Sequence, residues 1–164
     1  MTVRPVTAED RESLDALLIE SWGEPRVAAG GRVYDLHTLP SLVAIADTGE
    51  LVGALTYEIS DGTIEVVSID ATAPNRGVGT ALLEAARDVG AQADARLLWL
   101  VTTNDNLDAL RFYQRRGLRI LGVRPNAVAA SRQLKPSIPQ IGAYGIPIRD
   151  EIVLGRSLAP AVEL

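Results

Sequence analysis

Apolar positions in this chain recur in two periods, and the switch between them outlines its elements. A first strand is expected over Thr2 to Val6. Thr7 with Glu9 and Asp10 then reads as a helix N-cap with acids in the first turn, and Leu14, Leu17, Leu18 and Trp22 follow at helical spacing. Gly23 to Pro40 has little periodicity and carries Gly30-Gly31, so a loop or a short irregular helix lining a pocket is expected there. Leu42 to Asp47, Leu51 to Ser60 and Thr63 to Ala71 are rich in β-formers, and the Thr48-Gly49 and Asp61-Gly62 dipeptides between them suit tight hairpins. Three consecutive antiparallel strands are expected. From Val78 the period lengthens: Val78, Leu82, Ala85, Ala86 and Val89 mark a helix, Arg96 to Thr103 a buried strand, Leu107 to Arg116 a helix stopped at Gly117, and Leu118 to Arg124 a strand. A short Ala-rich helix, a Pro- and Gly-punctuated loop from Lys135 to Pro147 and a closing strand around Arg149 to Leu154 complete the chain.

A β-meander followed by β-α-β-α-β implies an α/β fold of the mixed α+β kind. Its central sheet is mixed and mostly antiparallel, with helices on both faces. The strands at Thr63 to Ala71 and Arg96 to Thr103, joined through a helix, are expected to run parallel and splay at their C-terminal ends, where ligands enter such sheets. The 164 residues suit one domain spanning 1–164.

Composition narrows the function. The chain has no cysteine, which removes disulfides, thiolate metal sites and a Cys nucleophile together. A formal charge of −5 disfavours a nucleic-acid partner, whose backbone selects clustered Lys and Arg. The apolar runs are only strand-sized and no secretory leader precedes the first helix, so no membrane association and a cytoplasmic location are expected.

The candidate chemistry lies between Ile64 and Gly117. The strand Ile64 to Ala71 runs into Asn75-Arg-Gly-Val-Gly79, a glycine loop opening a helix, where backbone N–H groups and the helix dipole favour an anion. A nucleoside-triphosphate loop is excluded because no Lys-Ser/Thr follows, and a dinucleotide fold is weakened because Gly77-Val-Gly79-Thr-Ala-Leu82 lacks a third glycine. The second segment, Asn106-Leu-Asp-Ala109-Leu-Arg-Phe-Tyr113, offers carboxamide, small residue and phenol on one helix face. Taken singly, Asn106 is most simply an N-cap and Tyr113 a boundary aromatic.

Together the two segments resemble the GNAT superfamily of N-acetyltransferases. The likeness runs over roughly Val43 to Leu121, and Thr102 to Asn106, Phe112 to Gly117, Lys135 to Pro139 and Gly145 to Ile152 look like one bacterial branch of that superfamily. The resemblance implies acetyl-CoA as co-substrate and an amine acceptor; no metal is expected, and a monomer or homodimer is expected. It places Arg76, Gly77, Val78, Gly79 and Thr80 at the pyrophosphate, the main chain of Ile69, Asp70 and Ala71 along the pantetheine arm, and Asn106, Ala109 and Tyr113 toward the arm and sulfur. One departure stands out. The Gln or Arg expected three residues before the first loop glycine is Pro74.

Acyl transfer to an amine needs a neutral nucleophile, a donor to the developing oxyanion and an acid for the thiolate. A backbone N–H near Ile69 or Asp70 suits the second task. Tyr113 suits the third, because a phenol with an ordinary pKa near 10 is protonated at neutral pH. Glu65 is preferred as base, directly or through water. Simple alternation sets Glu65, Val67 and Ile69 on one strand face and Val66, Ser68 and Asp70 on the other. His37, the sole histidine, falls in the aperiodic N-terminal segment. The 132–149 segment is expected to be an ordered loop near the acceptor, with a surface excursion or dimer contact as alternatives, and Arg149, Asp150 and Glu151 read as solvated edge charges. The competing function is a catalytically silent acyl-CoA-binding regulator; a nucleotide-binding protein is a third.

Overall fold

The computed structural model describes residues 1–74 and 76–159. Their contacts divide into two compact units, Met1–Arg26 with Asp35–Leu98 and residues 157–159, and Val27–Tyr34 with Trp99–Arg156.

The first unit opens with β1 (Thr2–Pro5), a 3-10 turn at Ala8–Asp10, and α1 (Arg11–Trp22). Leu14, Leu17 and Leu18 of α1 are buried, as their spacing requires. Asp10 anchors the junction. Its carboxylate accepts from Arg4 Nη1 at 2.7 Å and Nη2 at 3.0 Å, from the Thr7 main-chain N–H at 2.7 Å and from the Thr7 hydroxyl at 2.9 Å. The Arg4 bond, more than any other, holds this carboxyl well below the usual carboxylate range.

Three antiparallel strands continue the unit: β4 (Ser41–Ile45), β5 (Leu51–Ser60) and β6 (Thr63–Ala71), with β1 paired to β4. The meander expected from the hairpin dipeptides is therefore present. Helix α2 (Val78–Gln92) packs on one face of it through Val78, Leu82, Leu83 and Ala86, all buried.

The segment Gly23 to Pro40 departs from expectation. Instead of a loop or irregular helix it contains a hairpin, β2 (Arg26–Ala29) and β3 (Arg32–Asp35). Gly30 and Gly31 turn it, with φ of 61° and 75°. A two-residue hairpin turn needs this left-handed pair, and strands of four residues are too short to declare a period.

The second unit holds β7 (Leu97–Thr103) from Trp99 onward, α3 (Leu107–Arg115), β8 (Arg119–Arg124), α4 (Ala127–Leu134) and β9 (Glu151–Ser157), with β9 between β7 and β8. Strands β8 and β9 pair antiparallel. Glu151 corrects the sequence reading. It is 2% exposed, not a solvated edge charge: the Gly30 N–H donates to both its oxygens at 3.1 Å, and the Ser131 hydroxyl lies at 3.4 Å. Strand alternation alone gives no sign that a carboxylate is met by a hairpin turn 121 residues upstream. Among the described residues no helix is long and apolar enough to cross a membrane.

Because the folded-state pKa of Asp10 is depressed, its contribution to stability is present above about pH 4 and is lost as pH falls toward the folded value. Asp10→Ala should lower stability at pH 7 by about 1–3 kcal/mol and flatten the acid limb of the stability profile, measured by urea unfolding between pH 3 and 7. An unchanged acid limb would remove Asp10 from this role.

Candidate active site

In the first unit the candidate residues run continuously from β6 into α2. The pairing of β5 with β6 contains a bulge: Thr56 faces Ser68 but Tyr57 faces Val66, leaving Val67 without a partner. Cross-strand partners share a sheet face, so the extra residue reverses the alternation on one side of it. Glu65, paired with Glu58, thus shares a face with Ser68, paired with Thr56, and Asp70, paired with Ala54. Simple alternation put Glu65 opposite Ser68 and Asp70, and the bulge overturns it.

That face meets α1. The Trp22 indole N–H donates to Asp70 Oδ2 at 3.0 Å. Burial pushes the Asp70 carboxyl above its ordinary value, while the bonds from Trp22 and Ser21 oppose the shift. Glu65 and Ser68 are both buried; the Ser68 hydroxyl has no hydrogen-bond partner, while Ser41 and Thr56 on the same face bond each other at 2.8 Å. His37 lies elsewhere in the unit, exposed, with Nε2 at 3.1 Å from Asp15 of α1.

The opposite face carries α2, and Gly53 on β5 sets how closely. A Cβ at Gly53 would stand 2.5 Å from Val78 Cγ1, 2.8 Å from the Asp70 carbonyl oxygen and 3.2 Å from Leu82 Cδ1. The first turn of α2 therefore lies directly against the strand pair whose end bears Asp70 and Ala71. Sequence inspection passed over Gly53, although an isolated glycine in a strand signals close backbone approach.

Gly77 is the N-cap of α2, with φ of 75°, a left-handed conformation that favours glycine. It brings no side chain to the first turn, which holds no acid, and the first intrahelical bond runs from the Ala81 N–H to the Gly77 oxygen at 3.0 Å. The N–H groups of Val78 and Gly79 precede that bond and have no acceptor within the helix. Arg76 is exposed; Asn75 lies outside the described residues.

In the second unit Asn106 caps α3, its Oδ1 accepting from the Ala109 N–H at 3.2 Å. The plain reading of this residue is thus part of its role. Ala109 is half-buried, and Tyr113, 8% exposed, meets Phe112 edge to face with centroids 5.3 Å apart. The strand end before α3 is fixed by two side chains that the sequence marks only as part of the Thr102 to Asn106 string. Asn104 Oδ1 accepts from the Arg149 and Asp150 N–H groups, both at 3.0 Å, and its Nδ2 donates to Pro147 at 3.0 Å. Buried Asp105 accepts from the Thr103 hydroxyl at 2.6 Å and the Ala143 N–H at 3.0 Å.

The comparisons give this geometry a family. The model of the "Acetyltransferase (GNAT) family" matches residues 9–118. The chain belongs to that family. It is 36% identical over 156 residues to the uncharacterised protein YdhI of Bacillus subtilis (strain 168), covering 95% of this chain and 98% of YdhI. A Bacillus subtilis acetyltransferase solved in complex with CoA superposes with a TM-score of 0.72 at 21% identity, over 96% of this chain and 98% of that one. A GNAT family acetyltransferase from Elizabethkingia anophelis with acetyl-CoA bound gives 0.67 at 22% identity, over 95% and 97%. The mixed α/β fold of this GNAT chain is therefore the one its sequence implied.

Gly53→Val should force the first turn of α2 away from β5 and destabilise the chain by about 1–3 kcal/mol in urea unfolding. Full stability in this variant would contradict the contact. Trp22→Phe removes a hydrogen bond that favours the Asp70 carboxylate, so the Asp70 pKa should rise further in a carboxyl-carbon NMR titration; a fall would contradict the assignment.

Proposed function

We propose that this GNAT chain is a single-domain, acetyl-CoA-dependent N-acetyltransferase that acylates a primary amine in a direct ternary complex. The observation that carries the reading is the start of α2, with a glycine N-cap, no acid in the first turn and the Val78 and Gly79 N–H groups ahead of the first helical bond. Such an end suits the two charges of a pyrophosphate. The two CoA-bearing structural neighbours support the choice of anion.

In this reading Gly77, Val78, Gly79 and Thr80 hold the pyrophosphate by main-chain N–H groups. That role survives the presence of Pro74 where a Gln or Arg was expected, and Arg76 adds exposed positive charge beside it. The main chain of Ile69, Asp70 and Ala71 takes the pantetheine arm; Asn106, Ala109 and Tyr113 contact the arm and sulfur. When bound, acetyl-CoA supplies the acyl thioester. Glu65 accepts the amine proton, directly or through water, and the bulge at Val67 supports this by setting Glu65 on the Ser68 and Asp70 face. A main-chain N–H near Ile69 or Asp70 donates to the acyl oxygen, and the Tyr113 hydroxyl donates a proton to the departing sulfur. No cysteine exists to form a thiol-linked acyl-enzyme, which favours direct transfer.

CoA release from acetyl-CoA, followed with a panel of primary amines and with cell extract, tests the proposal. Tyr113→Phe should lower kcat by about 10²-fold or more with little change in acetyl-CoA affinity. Binding of acetyl-CoA with no Tyr113-dependent release from any acceptor would instead indicate the silent acyl-CoA-binding regulator.

A further inference from the structure

The 135–150 segment is almost devoid of regular structure, yet its turns are held by side chains from three directions. Asn104 binds the main chain at Pro147, Arg149 and Asp150; Asp105 binds it at Ala143; Tyr144 donates to Asp108 at 2.7 Å. From α4, Arg132 donates through Nε to the Ile138 oxygen at 3.2 Å and through Nη2 to the Pro139 and Ile148 oxygens, both at 3.0 Å. A long ordered segment fixed at such expense in polar side chains belongs to a working surface more often than to a passive connection.

This framework borders an open cavity of about 240 Å³ within the second unit, walled by α4 and the 140–149 stretch. Its lining includes Arg132 and Arg149, the amides of Asn126 and Gln140, and apolar surface from Ile141 and Ile148, with no acid among the lining residues. Neither arginine forms an ion pair with a described residue. Arg132 spends its bonds on neutral carbonyls, which orient the guanidinium and leave its charge uncompensated. Arg149 is fixed at its main chain, with N–H to Asn104 at 3.0 Å and carbonyl to the Val128 N–H at 3.1 Å, while its exposed guanidinium has no bond to a described residue. The adjacent Asp150 is not a lining residue, and its carboxylate accepts from the main-chain N–H of Asn126 at 2.8 Å.

We propose that this cavity is a binding site for a small organic carboxylate, received by the Arg149 and Arg132 guanidinium groups against the Ile141 and Ile148 side chains. Two uncompensated cations around one small, partly apolar space match a short carbon chain bearing carboxylate, and a guanidinium fork meets a carboxylate with paired N–H donors. The volume, near that of eight liquid waters, suits a metabolite of a few carbons rather than a cofactor. A net charge of −5 makes a locally cationic pocket a departure from the rest of the surface. The site stands independently of the acetyl-transfer reading.

Titration calorimetry of the whole chain with succinate tests it, with neutral succinamide as the control. Saturable one-to-one binding of succinate at millimolar concentration or below, absent with succinamide, is expected. Arg149→Gln should weaken it by at least about tenfold, whereas Arg119→Gln, which removes an exposed charge on β8, should match the parent. Ala129→Glu places a competing carboxylate in the lining from exposed α4 and should abolish binding even if Arg149→Gln proves unstable. No saturation by succinate, equal binding of succinamide, or equal losses in the Arg119 and Arg149 variants would overturn the proposal.

Discussion

The contact between the first turn of α2 and strand β5, possible only because position 53 has no side chain, underlies the arrangement of the first unit. With Val78 and Leu82 against Gly53, the start of the helix is fixed beside the strand end that carries Asp70 and Ala71. An anion-receptive helix terminus at a fixed distance from a sheet edge is a functional coordinate, whereas the same terminus on a mobile helix is only a polar end. The packing of Leu82, Leu83 and Ala86 beneath supplies the hydrophobic area, and Gly53 decides how near the polar end may come.

The other face of the same sheet depends on the bulge at Val67. Without it, simple alternation would set Glu65 on the face that packs against α2. With it, Glu65, Ser68 and Asp70 form one polar line on the α1 side, and Trp22 reaches Asp70. One unpaired residue thus separates an apolar helix-packing face from a polar face.

Much of this was legible in the sequence, for identifiable reasons. Strands with a clear period and hairpin dipeptides, such as Leu51–Ser60 and Thr63–Ala71, fell where the pattern placed them, and so did the helices beginning at Val78 and Leu107. The glycine loop and the Asn106-to-Tyr113 spacing pointed to the GNAT family because each encodes a local backbone requirement. What escaped was set by distant contacts. The hairpin at Arg26–Asp35 is too short for a period; the bulge leaves no mark in the residue types of β6; buried Glu151 is held by Gly30, far away in sequence. Asn104 and Asp105 appeared only as part of a family string, and their bonds to the 143–150 main chain became visible only in the fold.

The central claim is that the open start of α2 receives the pyrophosphate. Amide proton and nitrogen shifts followed while CoA is titrated into the labelled chain test it directly. The account predicts that the Val78, Gly79 and Thr80 amides move among the most strongly, saturating together with CoA and reproduced by the nucleotide diphosphate portion alone. Tight binding of CoA that leaves these three amides unmoved would contradict it.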